Sequence, residues 1–208
     1  MPLIKCSEDM LPLWSDLDFI DVILLKEGEI RSFISTSDRE MYFIGDGICK
    51  MIINRKISYA QRGHIFKIES LNSTIKVKAE TDCAIIIIGG HWEGLIGTHG
   101  LFTLDNSDEP KNDGDPTDYP RKTDFDNHYH DCDEYWVFYK GSCLVVSEGK
   151  KYEVTPGDCI VTKMGDHHDI PEVYEEVHAV WFESSLKGLM REGHLWVHKH
   201  GDPRPDIV

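Results

Sequence analysis

The segment His128-Tyr129-His130-Asp131-Cys132-Asp133-Glu134 sets two histidines two residues apart and a glutamate four beyond the second. In an extended chain, residues i and i+2 point to the same side, so His128 and His130 share a face. Glu134 rejoins them if the chain kinks around Asp131 to Asp133. A third imidazole, His168, follows the turn Gly165-Asp166. Three neutral imidazoles and one carboxylate suit a first-row divalent metal and leave positions open for water or substrate. Two histidines alone would say little. The full spacing, with glycines on both sides, is specific.

The flanking sequence reads as short β-strands: 143–147, 151–154, 159–164 and 177–182 are rich in β-branched and aromatic residues. Gly141, Glu148-Gly149, Pro156-Gly157-Asp158 and Gly165-Asp166 separate them. Short strands at a spacing of about 8–12 residues indicate an all-β sandwich or barrel. Long helical periodicity is absent, although 7–17 and 185–193 have room for a turn or two. The two halves also repeat. Sliding the second half back by 94 places Gly141 on Gly47, Cys143 on Cys49, Gly157 on Gly63 and Glu134 on Glu40. No gap is needed between Glu40 and Ile88. The chain therefore reads as two copies of one β-unit, 1–100 and 101–208.

These residues resemble the cupin superfamily. Its first motif runs G-x5-H-x-H-x3-E-x6-G, matched by His128, His130, Glu134 and Gly141. Its second runs G-x5-P-x-G-x2-H-x3-N, matched by Gly157, Gly165 and His168. Lys122, Lys163 and Glu172 stand where the motifs have Gly, Pro and Asn, and none of the three is a ligand position. The resemblance implies two tandem jelly-roll (double-stranded β-helix) barrels, a bicupin. Metal would sit inside the second barrel on His128, His130, Glu134 and His168. Iron, manganese, nickel, zinc or copper would each accept that set.

Carried back by 94, the ligand positions become Ile34, Thr36, Glu40 and Thr74. One carboxylate cannot hold a transition metal, so the first unit is expected to be metal-free, with Glu40 exposed or ion-paired. Counting by two from Glu134 turns Trp136 and Phe138 inward, as pocket lining or as barrel packing. Tyr129, Tyr135 and His167 lie close to ligands in sequence and are the acid–base candidates. Tyr129 and Tyr135 alternate to the other face, and His167 points away from the metal if its segment is extended. Cys132 between two aspartates reads as structural, because neighbouring carboxylates raise a thiol pKa. His194, His198 and His200 share a parity with Trp196, which suggests an edge strand or an arm towards another subunit. The segment 105–127 carries eight acidic residues and three prolines. It reads as a solvated connector or as a strap over the site. Arg121 and Lys122 would there either attract an anionic substrate or close salt bridges.

With 22 Lys+Arg against 37 Asp+Glu, the net charge is −15. Such a charge disfavours nonspecific nucleic-acid binding and docking on anionic lipid. The longest apolar run, 83–88, is far shorter than the ~20 residues of a membrane span. The N-terminus lacks the basic start and apolar core of a signal peptide. Six cysteines without a C-x-x-C pair suit a reducing compartment. The expectation is a cytoplasmic homodimer with no nucleic-acid or membrane partner and a small-molecule substrate. The reaction expected is Lewis-acid proton transfer on a sugar, uronate or keto acid, as an isomerase, epimerase or lyase. The alternatives are a metal-dependent dioxygenase and a binding module without turnover.

Overall fold

Alternation along the chain dictates most of the strands. Residues 74–79 bury Ile75, Val77 and Ala79 while Thr74 and Lys76 face outward, the period of a half-buried strand. Residues 83–88 lack that alternation and form a strand buried along its whole length. The computed structural model describes residues 3–92, 99–111, 113–184 and 193–203. In chain order its strands begin with β1 (Leu3–Lys5), β2 (Leu17–Leu25), β3 (Ile30–Ile34), β4 (Arg39–Asp46) and β5 (Ile48–Ile53). Next come β6 (Lys56–Gln61), β7 (Ile65–Ile68), β8 (Thr74–Ala79), β9 (Cys83–Gly90) and β10 (His99–Leu104). The last are β11 (Glu134–Ser147), β12 (Lys150–Val154), β13 (Asp158–Thr162) and β14 (His168–Glu183). Among the described residues the sole helix is the single turn α1 (Val197–His200). Residues 7–16 form turns and bends rather than a helix, and Leu17 opens β2. The turn expected over 185–193 lies outside the described residues except for Gly193.

The fold is all-β, and the chain divides into two compact units. One is Lys5–Trp92, and the other comprises the described residues on either side of it. In the first, two antiparallel sheets, β2-β9-β4-β7 and β3-β8-β5-β6, form a sandwich. Leu25, Tyr42, Ile85 and Ile87 of one sheet share a core with Met51, Ile75 and Val77 of the other. The second unit is built on a sheet ordered β1-β13-β11-β14-β10, with β12 paired to β11. β11 and β14 are long, and their ladder shifts register repeatedly between Phe138 and Val146. Such bulges let one strand bend enough to serve both layers of a sandwich. Trp136, Phe138, Ile160, Val173 and Ala179 form its core.

The offset of 94 holds in the pairing register. Met41 pairs Ile88 in the first unit as Tyr135 pairs Phe182 in the second. Glu40↔Ile68 becomes Glu134↔Thr162, and Cys49↔Ala79 becomes Cys143↔Val173. The glycines agree too. Gly47 and Gly141 have φ of 73° and 75°, and a Cβ on either would lie 2.0 Å from a carbonyl oxygen, of Asp82 and Glu176 respectively. β2 and β10 correspond as well, but at an offset of 79: Ile20 faces Ile88, and His99 faces Phe182. The difference, 94 − 79 = 15 residues, is absorbed within the acidic segment between β10 and β11. All six cysteines are buried free thiols. No helix among the described residues is long and apolar enough to cross a membrane.

Candidate metal centre

His128 and His168 face each other across an isolated antiparallel bridge, with His168 N–H donating to the His128 carbonyl at 2.9 Å. His130 follows two residues on, and its carbonyl accepts from Gly165 N–H at 2.9 Å. The chain bends at Asp131–Cys132, where a kink was expected, and Asp133 fixes the bend by accepting from Met164 N–H at 2.8 Å. β11 then begins at Glu134, which returns to the face of the histidines. The four side chains predicted as ligands thus converge. One ligand atom from each lies within 4.8 Å of the others, and all four residues are buried.

The outer ring nitrogens show which way the lone pairs point. His128 Nδ1 and His168 Nδ1 each stand 2.9 Å from a backbone carbonyl, of Asp126 and Asp166. A carbonyl only accepts, so both Nδ1 atoms donate and both neutral rings aim an Nε2 lone pair inward. His128 Nε2 meets His130 Nε2 at 3.0 Å, and Glu134 Oε2 lies 3.2 Å from His130 Nε2 and 2.9 Å from His168 Nε2. Despite that proximity, Glu134 Oε2 and His168 Nε2 are buried without a hydrogen bond of acceptable geometry. Orphaned buried atoms of this kind are rare. A cation among these donors satisfies them, so the residues fit a divalent metal.

The electrostatics follow from crowding. Burial pushes His128 well below the usual histidine value, and the neighbouring His168, His194 and His130 add to the shift. Burial opposes charge on Glu134, yet close contact with His130 and His168 holds it well below the usual carboxylate range. Burial would lower His168 also, but Glu134 reverses the direction and raises it. Behind the ligands, Glu183 Oε1 lies 3.6 Å from His130 Nδ1, fully buried.

A cavity of about 290 Å³ opens on this cluster, lined by Phe102, Phe125, His128, Glu134, Trp136, Trp181 and His194. Trp136 therefore lines the cavity as its parity suggested, while Phe138 packs in the core. The three residues expected to carry acid–base chemistry do not line it. The Tyr129 hydroxyl donates to the Gly201 carbonyl at 2.7 Å. Tyr135 is on the opposite face of β11 from Glu134 and packs on Phe182. His167 Nε2 contacts Asp115 Oδ2 at 3.1 Å. His194 lies at the cavity instead. Its ring stacks on His128 at 3.7 Å between centroids, and its Nδ1 is 3.1 Å from Asp126 Oδ1. Trp196 Nε1–H donates to the same aspartate at 2.8 Å. The parity of the tail hinted at His194, but nothing in sequence tied it to Asp126.

The acidic segment is pinned rather than loose. Asp115 is buried and accepts from Val197 N–H at 2.8 Å, while its other oxygen is 2.8 Å from His198 Nδ1. Arg121 is spent on Asp169 in a buried two-pronged pair, which removes it as an anion receptor. Lys122 pairs with Glu172, so two departures from the cupin motifs compensate each other. In the first unit Glu40 is neither exposed nor ion-paired. It is buried and accepts from Thr36 N–H at 2.6 Å and from the Tyr42 hydroxyl at 2.8 Å.

Comparison with known proteins gives a relative by sequence and a set of neighbours by structure. No family model matches the chain. The uncharacterized protein y4oW of Sinorhizobium fredii is 33% identical over 205 residues, covering 97% of this chain and 94% of the relative. The chain belongs to the y4oW family. The structural neighbours of this y4oW-family chain share its fold at low sequence identity. An IolB-like protein from Salmonella typhimurium superposes with a TM-score of 0.58 at 14% identity, covering 96% of this chain and 98% of its own. The oxalate decarboxylase of Lactobacillus farciminis, in its formate complex, gives 0.54 at 9% identity, covering 89% of this chain and 87% of its own. At such identities the likeness concerns the fold alone.

Proposed function

We propose that this y4oW-family chain is a bicupin with a single metal site. The barrel made by residues after 100 would hold one divalent transition metal on His128, His130, Glu134 and His168, and the barrel before it would hold none. The reaction we infer is proton transfer on a small oxygenated substrate, as in an isomerase, epimerase or lyase. What carries this reading is the inward aim of the donors, two of them buried without hydrogen bonds. A divalent metal there supplies Lewis-acid polarisation of a substrate oxygen. The chain supplies the rest. The carbonyls of Asp126 and Asp166 hold His128 and His168 in one tautomer. The aromatic walls of Phe102, Phe125, Trp136 and Trp181 give the substrate an apolar surface to pack on. His194, oriented through Nδ1 by Asp126, has Nε2 left to exchange a proton with the substrate.

Metal analysis of protein purified without added metal tests the site. About one equivalent per chain is expected, and His130→Ala should lose most of it while remaining folded. His194→Ala should keep the metal yet lose turnover by about 10²- to 10⁴-fold, the usual weight of a proton-transfer group. Turnover should persist without dioxygen and with zinc. Activity that stops without dioxygen and returns with iron or copper alone would favour a dioxygenase instead.

A further inference from the structure

The walls of the cavity narrow the substrate. Phe125 meets Trp136 edge-on at 5.1 Å between centroids, and Phe102 meets Trp136 at 6.2 Å, so three rings form one continuous apolar wall. Trp181 pairs with Trp136 across the β11–β14 ladder and shares its face. Opposite it on β10 stands Gly100, where a Cβ would come within 2.8 Å of the Trp181 indole nitrogen. Glycine there leaves the room the indole occupies. Among the described residues the polar lining groups converge where His128, Glu134 and His194 lie.

Among the described residues no lysine or arginine lines the cavity, and the guanidinium of Arg121 is bound to Asp169. Among the described residues a phosphate dianion would find no side-chain cation there, and a single carboxylate, with half its charge, asks less of the metal alone. A sugar or uronate would press several hydroxyls against aromatic faces, each at a cost when left without a partner. Size agrees with a ring. A dry cavity of about 150 Å³ accepts benzene, and about 290 Å³ takes one six-membered ring with a short oxygenated substituent.

We propose that the substrate is a single unsaturated six-membered ring carrying two adjacent oxygen donors, an aryl keto acid or a close analogue. The ring would lie among Phe102, Phe125, Trp136 and Trp181, with the oxygens directed at His128 and Glu134. This rests on the metal reading for the oxygen end and on the aromatic walls alone for the ring.

Calorimetric titration with phenylpyruvate, pyruvate and galacturonate separates the two parts, because the first two share one head group. Burying the ring should make phenylpyruvate bind about 10- to 150-fold tighter than pyruvate, and galacturonate should bind no better than pyruvate. Trp181→Leu should cut the preference at least fivefold without changing metal content. Phe102→Leu serves the same purpose if that variant does not fold. The titration is repeated on metal-stripped protein, with metal content measured by mass spectrometry. A persisting ring preference in protein that never binds metal would refute the metal reading alone. Stoichiometric metal with equal affinity for phenylpyruvate and pyruvate, tighter galacturonate, or no phenylpyruvate binding at millimolar concentration would overturn the ring assignment.

Discussion

At His168 two demands oppose each other. Burial disfavours the imidazolium, whereas Glu134 favours it, and Glu134 prevails. A metal ligand must be neutral, so binding has to expel the proton that Glu134 retains on His168. His128 does not compete in this way, since its burial among imidazoles already keeps it neutral, and Glu134 stays ionised well below pH 4.5. The sign follows. Metal affinity should rise with pH until His168 has deprotonated, at a pH above the ordinary histidine value of about 6.5, and then level off. Below that point each pH unit should weaken binding at least about tenfold, with at least one proton released per metal. Calorimetry in two buffers of different ionisation enthalpy measures this, and affinity constant from pH 5 to 7 would contradict it. The convergence of His128, His130 and Glu134 was legible in sequence because strand parity and one bend bring them together locally, and His168 was legible from the second motif. Asp126, Glu183 and His194 were not, because their partners lie 68, 53 and 66 residues away in sequence (194 − 126, 183 − 130, 194 − 128) and no local period links them.

The elements owe their shape to a few backbone positions. Gly141 lets β11 continue from one layer to the next, with φ of 75° and the Glu176 carbonyl where a Cβ would stand. Gly157 also has positive φ, 93°, but nothing lies within 4 Å of its missing Cβ. Alanine at 157 should therefore cost only the left-handed backbone strain, about 1–2 kcal/mol. Alanine at 141 adds a clash with backbone that cannot rotate away, and should cost clearly more. Thermal melts should show a drop of roughly 2–8 °C for Gly157→Ala, at about 2–4 °C per kcal/mol for a chain of this size. Gly141→Ala should fall further, and equal drops would show that the close approach relaxes freely. Strand positions were readable because Gly and Asp punctuate them. The union of two layers in the single strands β11 and β14 was not, since the same glycine at position 47 falls between β4 and β5. The pairing of β1 with β13 also escaped the sequence, because three residues carry no signal of a partner more than 150 positions away.

For the whole molecule, the two units have diverged in what they present. In the first unit, Glu40, which corresponds to Glu134 at the offset of 94, accepts from Thr36 N–H and the Tyr42 hydroxyl. That unit's sheet β3-β8-β5-β6 carries an exposed row on one face. Ile30 and Lys50 register with Lys78, and Tyr59 registers with Lys50; Ile57 registers with Ile52 on that same face. Ile30, Ile34, Ile48, Ile57 and Tyr59 are all exposed there. Large apolar side chains gathered on one sheet face mark an association surface more often than isolated ones do. A second copy is the simplest occupant, because two-fold dimers dominate soluble oligomers and a self-complementary face needs no other partner. Light scattering at micromolar concentration should give about twice the 23.9 kDa chain mass. Ile57→Lys with Tyr59→Lys should shift it to monomer while leaving metal content unchanged, because neither residue belongs to the unit that carries His128, His130, Glu134 and His168. A monomeric wild-type mass, or a dimer that survives both lysines, would move the interface away from this sheet.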